Sequence, residues 1–230
     1  MFKQSPPSFR AQYILGRLDQ VTTANRNRNA FDTALLYPIC TQETVEALLR
    51  LPEFLAYGKS DPNIPKRLFR DLKPRVRRGI AIPWSQEDEP LPFIRYLFSL
   101  YHPRGVTSRP PRCGGAHESY ALTKAVAAGF VPLVKFLLGT GVDPAGKGAI
   151  AVMVAIQRKD LQMVRLLVEG DLGDPRSAKR RRVPDRVVCT SAMANRALRA
   201  GAQEILRYLL GKEVIVDMQT LHLLHSNALL

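Results

Sequence analysis

Three residues fit most of a phosphate-binding loop: Gly141, then Gly146 and Lys147 after four intervening residues. Such a loop joins a strand to a helix, and a Ser or Thr after the lysine reaches the Mg²⁺ ion. Here Gly148 follows the lysine, and the residues ahead of the motif have helical spacing. We therefore interpret the motif as a turn between helices, and we predict no nucleotide or other cofactor.

Two pairs of side chains have metal-binding chemistry: Cys113 with His117, and His222 with His225. A structural zinc site needs four ligands, usually as two closely spaced pairs. Neither pair is accompanied by a second pair at a recognisable spacing, so we predict no metal site.

Catalysis would require a nucleophile beside a base, or two carboxylates in one cleft. The acidic residues are scattered over predicted turns and solvent-facing positions, and the four histidines and three cysteines occur without motif context. The sequence therefore favours a non-enzymatic protein.

Positive charge is the strongest compositional signal, because 34 Lys and Arg stand against 20 Asp and Glu, a formal charge of +14. A charge of this size favours an acidic partner: nucleic acid, an acidic protein surface or anionic lipid. Two clusters carry much of it. Residues 59–78 have eight basic and two acidic residues, and residues 176–186 have six basic residues and one acid.

The cluster at 176–186 contains four consecutive basic residues between two predicted helix pairs. Three interpretations stay open for this run: a nuclear-import signal, a contact to phosphates, or a solvated loop. The run consists of Lys179, Arg180, Arg181 and Arg182.

The other cluster, at 66–78, begins with helical spacing and then meets Pro74. We expect its apolar side chains at 68, 69 and 72 to anchor it and its first four basic side chains to point outward, where acidic protein, RNA or DNA could bind. Its basic residues are Lys66, Arg67, Arg70, Lys73, Arg75, Arg77 and Arg78.

The cysteines bear on the cellular compartment. Cys40, Cys113 and Cys189 are odd in number and far apart, which is typical of free thiols in a reducing, intracellular environment.

The apolar runs are shorter than the roughly 20 residues that a membrane span needs, so we predict no membrane partner. The basic run favours the nucleus, with the cytoplasm as the alternative. A mitochondrial location is less favoured than these two, although the start of the chain is poor in acidic residues, as a mitochondrial presequence is.

Three segments of the C-terminal half repeat one pattern, at 125–139, 155–170 and 197–211. In each, a short helix ends at a turn and a second helix presents apolar residues at i, i+3 and i+4, which predicts one buried face. These apolar residues are Leu133, Phe136 and Leu137; Met163, Leu166 and Leu167; and Ile205, Tyr208 and Leu209. The small residues Ala125, Ala155 and Ala197 occupy equivalent positions, where they let two helices approach closely.

Turn and cap residues agree with this repeat. Gly129 and Gly201 stand where the first helix must turn, which favours a positive φ. The second helices are predicted to end in the same way, at Gly139, Gly170 and Gly211. Pro132 stands in a first helical turn and Asp160 at an N-cap.

The segments VPLVKFLLGTGVDP (131–144) and LQMVRLLVEGDLGDP (161–175) resemble the second helix and turn of ankyrin repeats. The Thr-Pro-Leu-His opening of that family is absent here. The resemblance covers residues 117–211 and implies an all-α solenoid of stacked helix-turn-helix repeats.

Weaker copies lie upstream, at 31–52 and 91–103, with a basic, irregular insertion between them at about 56–90. A capping helix is expected at 217–229. Because each repeat exposes an apolar flank unless a neighbour covers it, we predict a single repeat domain over 1–230, with degenerate N-terminal repeats at about 31–103.

The resemblance also implies protein–protein interaction through the exposed residues of the first helices. Partner-binding residues would be Ser119, Ala128, Gln157, Arg158 and Arg199. The two arginines make this face mildly positive, so we expect an adaptor that binds an acidic surface or segment of another protein, within a nuclear complex. The alternative is direct DNA or RNA binding through 66–78 and 176–186. The oligomeric state is left open.

Overall fold

The computed structural model describes residues 4–24, 30–56, 64–101, 119–170, 185–212, 214 and 218. These residues are mostly helical, as the predicted all-α class requires. Their contacts divide the chain into two compact units. The first unit is residues 1–71 and 86–117, and the second unit is residues 72–85 and 118–230. The single domain over 1–230 stays a prediction.

The elements that the structure describes in the first unit are helices. Its helices are α1 (Pro7–Ala24), α2 (Ala30–Leu36), α3 (Gln42–Leu48), α4 (Pro52–Leu55), α5 (Arg67–Arg70) and α6 (Leu91–Tyr101). Helices α2 and α3 confirm that 31–52 forms a helix pair, and α6 confirms the helix at 91–103. The assignment of either segment to a repeat stays a prediction.

Helix α1 was missed in the sequence, where this segment drew attention only as an acid-poor start. It packs against α2 and α3, and it buries Ala11, Ile14 and Leu18 on one side. Arg10 is also buried, and its guanidinium donates to Thr41 Oγ1 at 3.2 Å and to Glu43 Oε2 at 3.1 Å. One side of α1 therefore contributes to the core of the first unit, although its sequence has a mixed basic and apolar pattern.

The second unit begins with a small hairpin and continues as three helix pairs. The hairpin strands are β1 (Val76–Arg77) and β2 (Ile80–Ala81). The pairs are α7 (Ser119–Ala128) with α8 (Val131–Gly139), α9 (Gly146–Gln157) with α10 (Leu161–Glu169), and α11 (Ser191–Arg199) with α12 (Gln203–Leu210). Helix α9 packs against both α7 and α11, so the first helices form one layer. The three predicted helix pairs are confirmed.

The buried face of the second helices differs by one position from the prediction. Phe136, Leu166 and Tyr208 are only half-buried. The residue after each of them and the residue two positions before it are buried. The buried residues of α8 are Leu133, Val134, Leu137 and Leu138, and α10 repeats the set with Met163, Val164, Leu167 and Val168. A second helix in a stack must cover both its own first helix and the next repeat, which widens the buried face beyond a single i, i+3, i+4 row.

The first-helix turns follow the prediction. Gly129 has a φ of 70° and Gly201 a φ of 65°, and Lys159 takes the equivalent conformation at 57° in the middle repeat. Asp160 caps α10, since its Oδ1 accepts from Met163 N at 3.0 Å. Pro132 lies in the first turn of α8.

The three second helices end at or beside the predicted glycines. Gly139 is the last residue of α8, and Gly170 and Gly211 are the C-cap residues of α10 and α12. The predicted positive φ is present at Gly170, with 90°, but Gly211 keeps a φ of −65°. After α8 the positive φ is at Gly141, with 86°, and not at Gly139.

The insertion at 56–90 is more regular than expected, since it contains α5 and the hairpin. The connection at 103–116 lies outside the described residues. So does the predicted capping helix at 217–229, apart from Met218.

Candidate interaction surface

The five residues predicted to bind a partner do not lie in equivalent surroundings. Gln157, Arg158 and Arg199 are exposed at the ends of α9 and α11. Ser119 and Ala128, in α7, are 8% and 3% exposed. The surface offered by the first helices therefore belongs to the second and third repeats, and the side chains of Ser119 and Ala128 do not contribute to it.

The burial of Ala128 comes from the residues just after the hairpin. Trp84 stacks on Phe130, with ring centroids 4.4 Å apart and an interplanar angle of 12°, and its Nε1 donates to the carbonyl of Ala128 at 3.0 Å. On the indole ring lies the guanidinium of Arg75, 3.7 Å from the centroid. The hairpin segment thus covers the turn between α7 and α8. The sequence contained one signal for it, the single tryptophan of the chain.

Arg158 has a structural contact as well as an exposed position. Its guanidinium donates to the carbonyl of Ala127, near the C-terminal end of α7, where helix carbonyls have no intrahelical partner. Its terminal nitrogen also approaches Gly129, so closely that a Cβ there would lie 3.0 Å away. Arg158 therefore links the first and second repeats in addition to contributing charge.

We expect Arg158→Ala to lower the free energy of unfolding by about 1 kcal/mol, because it removes a charged hydrogen bond to a helix end. Arg199→Ala is the matched control, since Arg199 is exposed on the next first helix, and it should change stability by less than about 0.5 kcal/mol. Urea denaturation of the two variants measures this difference. Equal stabilities would mean that the Arg158 contact contributes nothing.

Basic side chains concentrate at the end of α11. Arg196 and Arg199 are both exposed in its last turn, three residues apart and so on one side of the helix. Lys159 is exposed at the equivalent end of the middle repeat and lies 3.8 Å from the position of a Cβ on Gly201. Beside it is an open groove of about 270 Å³, lined by Lys159, Gly201, Ala202, Gln203, Glu204 and Ile205.

Most acidic side chains among the described residues of the second unit are already engaged. These described residues include fifteen basic and five acidic ones. Asp160 caps a helix, Asp143 accepts from Ala145 N at 2.8 Å, and Glu169 and Asp185 both pair with Lys212. The described part of the unit therefore has an excess of positive charge, which favours negatively charged partners.

Lys212 joins the two sides of the basic run at 176–186. Its Nζ lies 2.9 Å from Glu169 Oε1 and 3.0 Å from Asp185 Oδ1, and Tyr208 donates to the same Glu169 oxygen at 2.9 Å. The backbone N–H of Arg186 donates to the carbonyl of Val168 at 2.7 Å. Residues 168–169 and 185–186, on either side of the undescribed segment, therefore lie close together. Residues 179–182 themselves lie outside the described residues.

The pairing of Glu169 and Lys212 makes stability depend on pH. Burial raises the pKa of Glu169, but hydrogen bonds from Lys212 and Tyr208 outweigh it, so the pKa falls below its ordinary 4.5. Burial lowers the pKa of Lys212, but hydrogen bonds to Glu169 and Asp185 leave it above 10.5. The pair therefore stabilises the fold fully between these two values. Its contribution is lost as the pH falls through the lowered pKa of Glu169 or rises through the raised pKa of Lys212.

We expect Lys212→Met to cost at most about 1 kcal/mol near neutral pH, with the difference from wild type shrinking at acidic pH below the ordinary 4.5 of Glu169. Urea denaturation at a series of pH values measures this. A difference that stays constant from neutral to acidic pH would contradict a role for the pairing.

The basic cluster at 66–78 divides between the two units. Lys66, Arg67 and Arg70 belong to the first, and residues from 72 onward belong to the second. Phe69 and Leu72 are buried as predicted and Leu68 half-buried. The outward position of Arg67 was wrong: it is half-buried, with Nε donating to the carbonyl of Leu35 and a terminal nitrogen to that of Cys40 at 3.0 Å. Free carbonyls at the end of α2 recruit this guanidinium.

The two cysteines that the structure describes have unreactive surroundings. Burial raises the pKa of the Cys40 thiol to about 12, although the nearby arginines 67 and 10 oppose the shift. Burial, followed by the charge of Asp185, raises the pKa of Cys189. Both are neutral thiols at physiological pH, and a neutral thiol is a weak nucleophile.

The structure also shows the surroundings of the Gly141–Lys147 motif. Helix α8 precedes the Gly141–Lys147 motif, as the turn interpretation requires. Among the described residues, no group of three or more His, Cys, Asp or Glu could hold a metal ion, and no helix has the length and apolar character needed to cross a bilayer. His222, His225, Cys113 and His117 lie outside the described residues.

Comparison with protein families agrees with these helix pairs. Residues 122–220 match the model for ankyrin repeats, in three copies. Searches of curated proteins and of solved structures each found no match to the chain. This part of the chain is an ankyrin-repeat array, a module that typically binds other proteins and is typically non-enzymatic.

Proposed function

We propose that the chain is a non-enzymatic adaptor whose ankyrin repeats bind an acidic segment of another protein. One observation carries the proposal: Lys159, Arg196 and Arg199 are all exposed at the C-terminal ends of the neighbouring helices α9 and α11. The groove between Lys159 and the start of α12 lies at the same end. A carboxylate-bearing segment there would gain charge-assisted hydrogen bonds.

The decisive experiment is affinity capture at physiological salt, with and without nuclease, using the wild-type chain and the double variant Arg196→Glu/Arg199→Glu. We expect a stoichiometric protein partner that survives nuclease and that the double variant binds about ten- to a hundredfold more weakly. That range corresponds to about 1.4 kcal/mol for each tenfold step.

The single variant Arg199→Glu has Arg207→Glu as its matched control, because each reverses one exposed arginine of the same repeat and Arg207 lies on the second helix. The control changes the net charge of that repeat by the same amount without altering the ends of the first helices. Equal binding by the double variant and the wild type would exclude the proposed surface. Equal loss in Arg199→Glu and in Arg207→Glu would show that only net charge matters.

Direct nucleic-acid binding is the second candidate, favoured by the excess of basic residues in the second unit. If about six phosphates were neutralised, affinity would fall about a thousandfold between 50 and 200 mM salt. Disappearance of every captured partner after nuclease treatment, together with this salt dependence, would establish it in place of the adaptor.

We also propose that the protein acts in the nucleus, because the run of four basic residues at 179–182 matches a simple import signal. Replacing these four residues with alanine in a fluorescent fusion should shift it from nucleus to cytoplasm. An unchanged distribution would exclude the import signal, so that the run would either contact phosphates or be a solvated loop.

A further inference from the structure

The hairpin at residues 75–82 has a tight and well-defined turn. Arg78 and Gly79 form its two-residue loop with φ values of 51° and 79°, both in the left-handed region. This is the geometry of a type I′ turn, whose twist matches that of the flanking strands. Arg77 pairs with Ile80 and Val76 with Ala81, so the register is defined.

Both strands have backbone groups that face away from the hairpin. Ile82 N donates to the carbonyl of Arg75 at 2.8 Å, so these two residues form a hydrogen-bonded pair. In an antiparallel ladder such pairs alternate with pairs whose N–H and C=O groups point outward. Val76 and Ala81 are the intervening pair, and each therefore offers one N–H and one C=O at an outer edge.

The side chains around these edges combine two chemical characters. Three branched aliphatic residues are unusually exposed: Ile80 by 72%, Val76 by 61% and Ile82 by 41%. Arg77 and Arg78 are also exposed. In this register Arg77 shares one face with Ile80 and Ile82, Val76 lies on the other face, and Arg78 is in the turn. Residues of this kind normally favour a half-buried strand surface, and open strand edges are templates for a further strand.

The hairpin is also held firmly before any partner arrives. Trp84 lies between the guanidinium of Arg75 and the ring of Phe130, and its N–H is bonded to the carbonyl of Ala128. A partner would therefore lose little free energy to ordering the hairpin on binding.

We propose that this hairpin is a second docking site, which binds an extended peptide of alternating acidic and aliphatic residues by adding it as a third strand. The outward N–H and C=O groups pair with the peptide backbone, Val76 packs against its apolar residues on one face of the hairpin, and Arg77 on the other face, with Arg78 in the turn, attracts its carboxylates. Nucleic acid fits less well, since phosphates use neither a strand edge nor exposed aliphatic side chains. A second copy of the hairpin would bring like charges together.

The probe is a fluorescein-labelled peptide of about eight residues that alternates Glu and Val, long enough to pair along the hairpin. Two control peptides have the same length: alternating Lys and Val, which reverses the charge, and alternating Glu and Pro, which cannot pair as a strand. Anisotropy titrations with the full chain should give binding by the Glu–Val peptide that is at least tenfold tighter than by either control.

Proline substitutions test the edge itself. Val76→Pro and Ala81→Pro each remove one outward N–H while leaving the ladder bonds of Arg75 with Ile82 intact. We expect at least one of them to weaken Glu–Val peptide binding tenfold or more, with Trp84 emission unchanged as the check that the hairpin still docks. Equal binding of the Glu–Pro peptide, or wild-type binding by both proline variants, would overturn the proposal.

The site is independent of the proposed adaptor surface. Arg196→Glu/Arg199→Glu should bind the Glu–Val peptide as wild type does, and a loss there would mean that the peptide occupies the repeat surface instead. Full competition by single-stranded DNA of about 20 nucleotides at physiological salt would also overturn it, because it would show a phosphate site. Concentration-dependent dimerisation that both proline variants abolish would assign the edge to self-association instead.

Discussion

Phe130→Ala is expected to lower the free energy of unfolding of the second unit by about 3–5 kcal/mol, the cost typical of removing a fully buried aromatic side chain. Phe130 is 0% exposed and lies at the turn between α7 and α8. It also supplies the face on which Trp84 stacks at 4.4 Å. The substitution therefore opens a cavity and removes the support for the hairpin segment in one step.

Trp84 makes the measurement direct, because it is the single tryptophan of the chain. Urea denaturation followed by its fluorescence reports the hairpin, and far-ultraviolet circular dichroism reports the helices. We expect Phe130→Ala to red-shift the native emission, as the indole gains solvent.

Phe130→Leu is the matched control, since it keeps apolar volume at the turn but loses the ring stack. It should cost about 0.5–1.5 kcal/mol, the range of an aromatic pair beyond its buried area. A loss below about 1 kcal/mol in Phe130→Ala, with unshifted emission, would contradict a structural role for this stack.

The second large effect is expected for Ala155→Leu, at about 1–3 kcal/mol. Ala155 is 0% exposed in the middle first helix, and α9 packs against the first helices on both sides. Three additional carbon atoms would push α9 away from its neighbours. In a repeat array most stability lies in such nearest-neighbour interfaces, so the loss should lower the cooperativity of unfolding as well as the midpoint.

Ala192→Leu provides the control, because Ala192 is an exposed residue of α11. The same change at this position should alter stability by less than about 0.5 kcal/mol. Differential scanning calorimetry of the two variants compares them. If both variants melted together near wild type, the helices would not be as closely packed at Ala155 as their burial indicates.

Local regularities predicted the repeats because each depends on residues close together in sequence. Ala125, Ala155 and Ala197 are each 0% exposed. Helical periodicity and side-chain size were enough to predict this close helix contact. Asp160 caps its helix for a similarly local reason: the donor it satisfies is three residues away. Gly129 and Gly201 turn the chain because only the backbone conformation at one residue is involved.

Predictions that required knowing the environment of a side chain were less successful. Arg67 was predicted to point outward, yet it is half-buried and donates to carbonyls 27 and 32 residues away in sequence. Arg158 is exposed as predicted, but it also donates to a carbonyl 31 residues away, which the sequence did not indicate. Ala128 was expected to contact a partner, but Trp84, 44 residues earlier, covers it. No pattern in the chain encodes these distant partners.

The sequence by itself predicted ankyrin-like repeats over residues 117–211, which the family match over 122–220 confirms, and it determined the excess of positive charge. Spacing, small residues, caps and composition are properties of short segments, and they keep their physical meaning before the chain folds. Only the tertiary structure showed that Arg196 and Arg199 remain exposed, and that Glu169 and Asp185 pair with Lys212. It also decided that the Trp84 segment covers the first repeat. Each of these outcomes depends on which distant groups meet, because burial and hydrogen bonding are set by contacts between segments that only folding brings together.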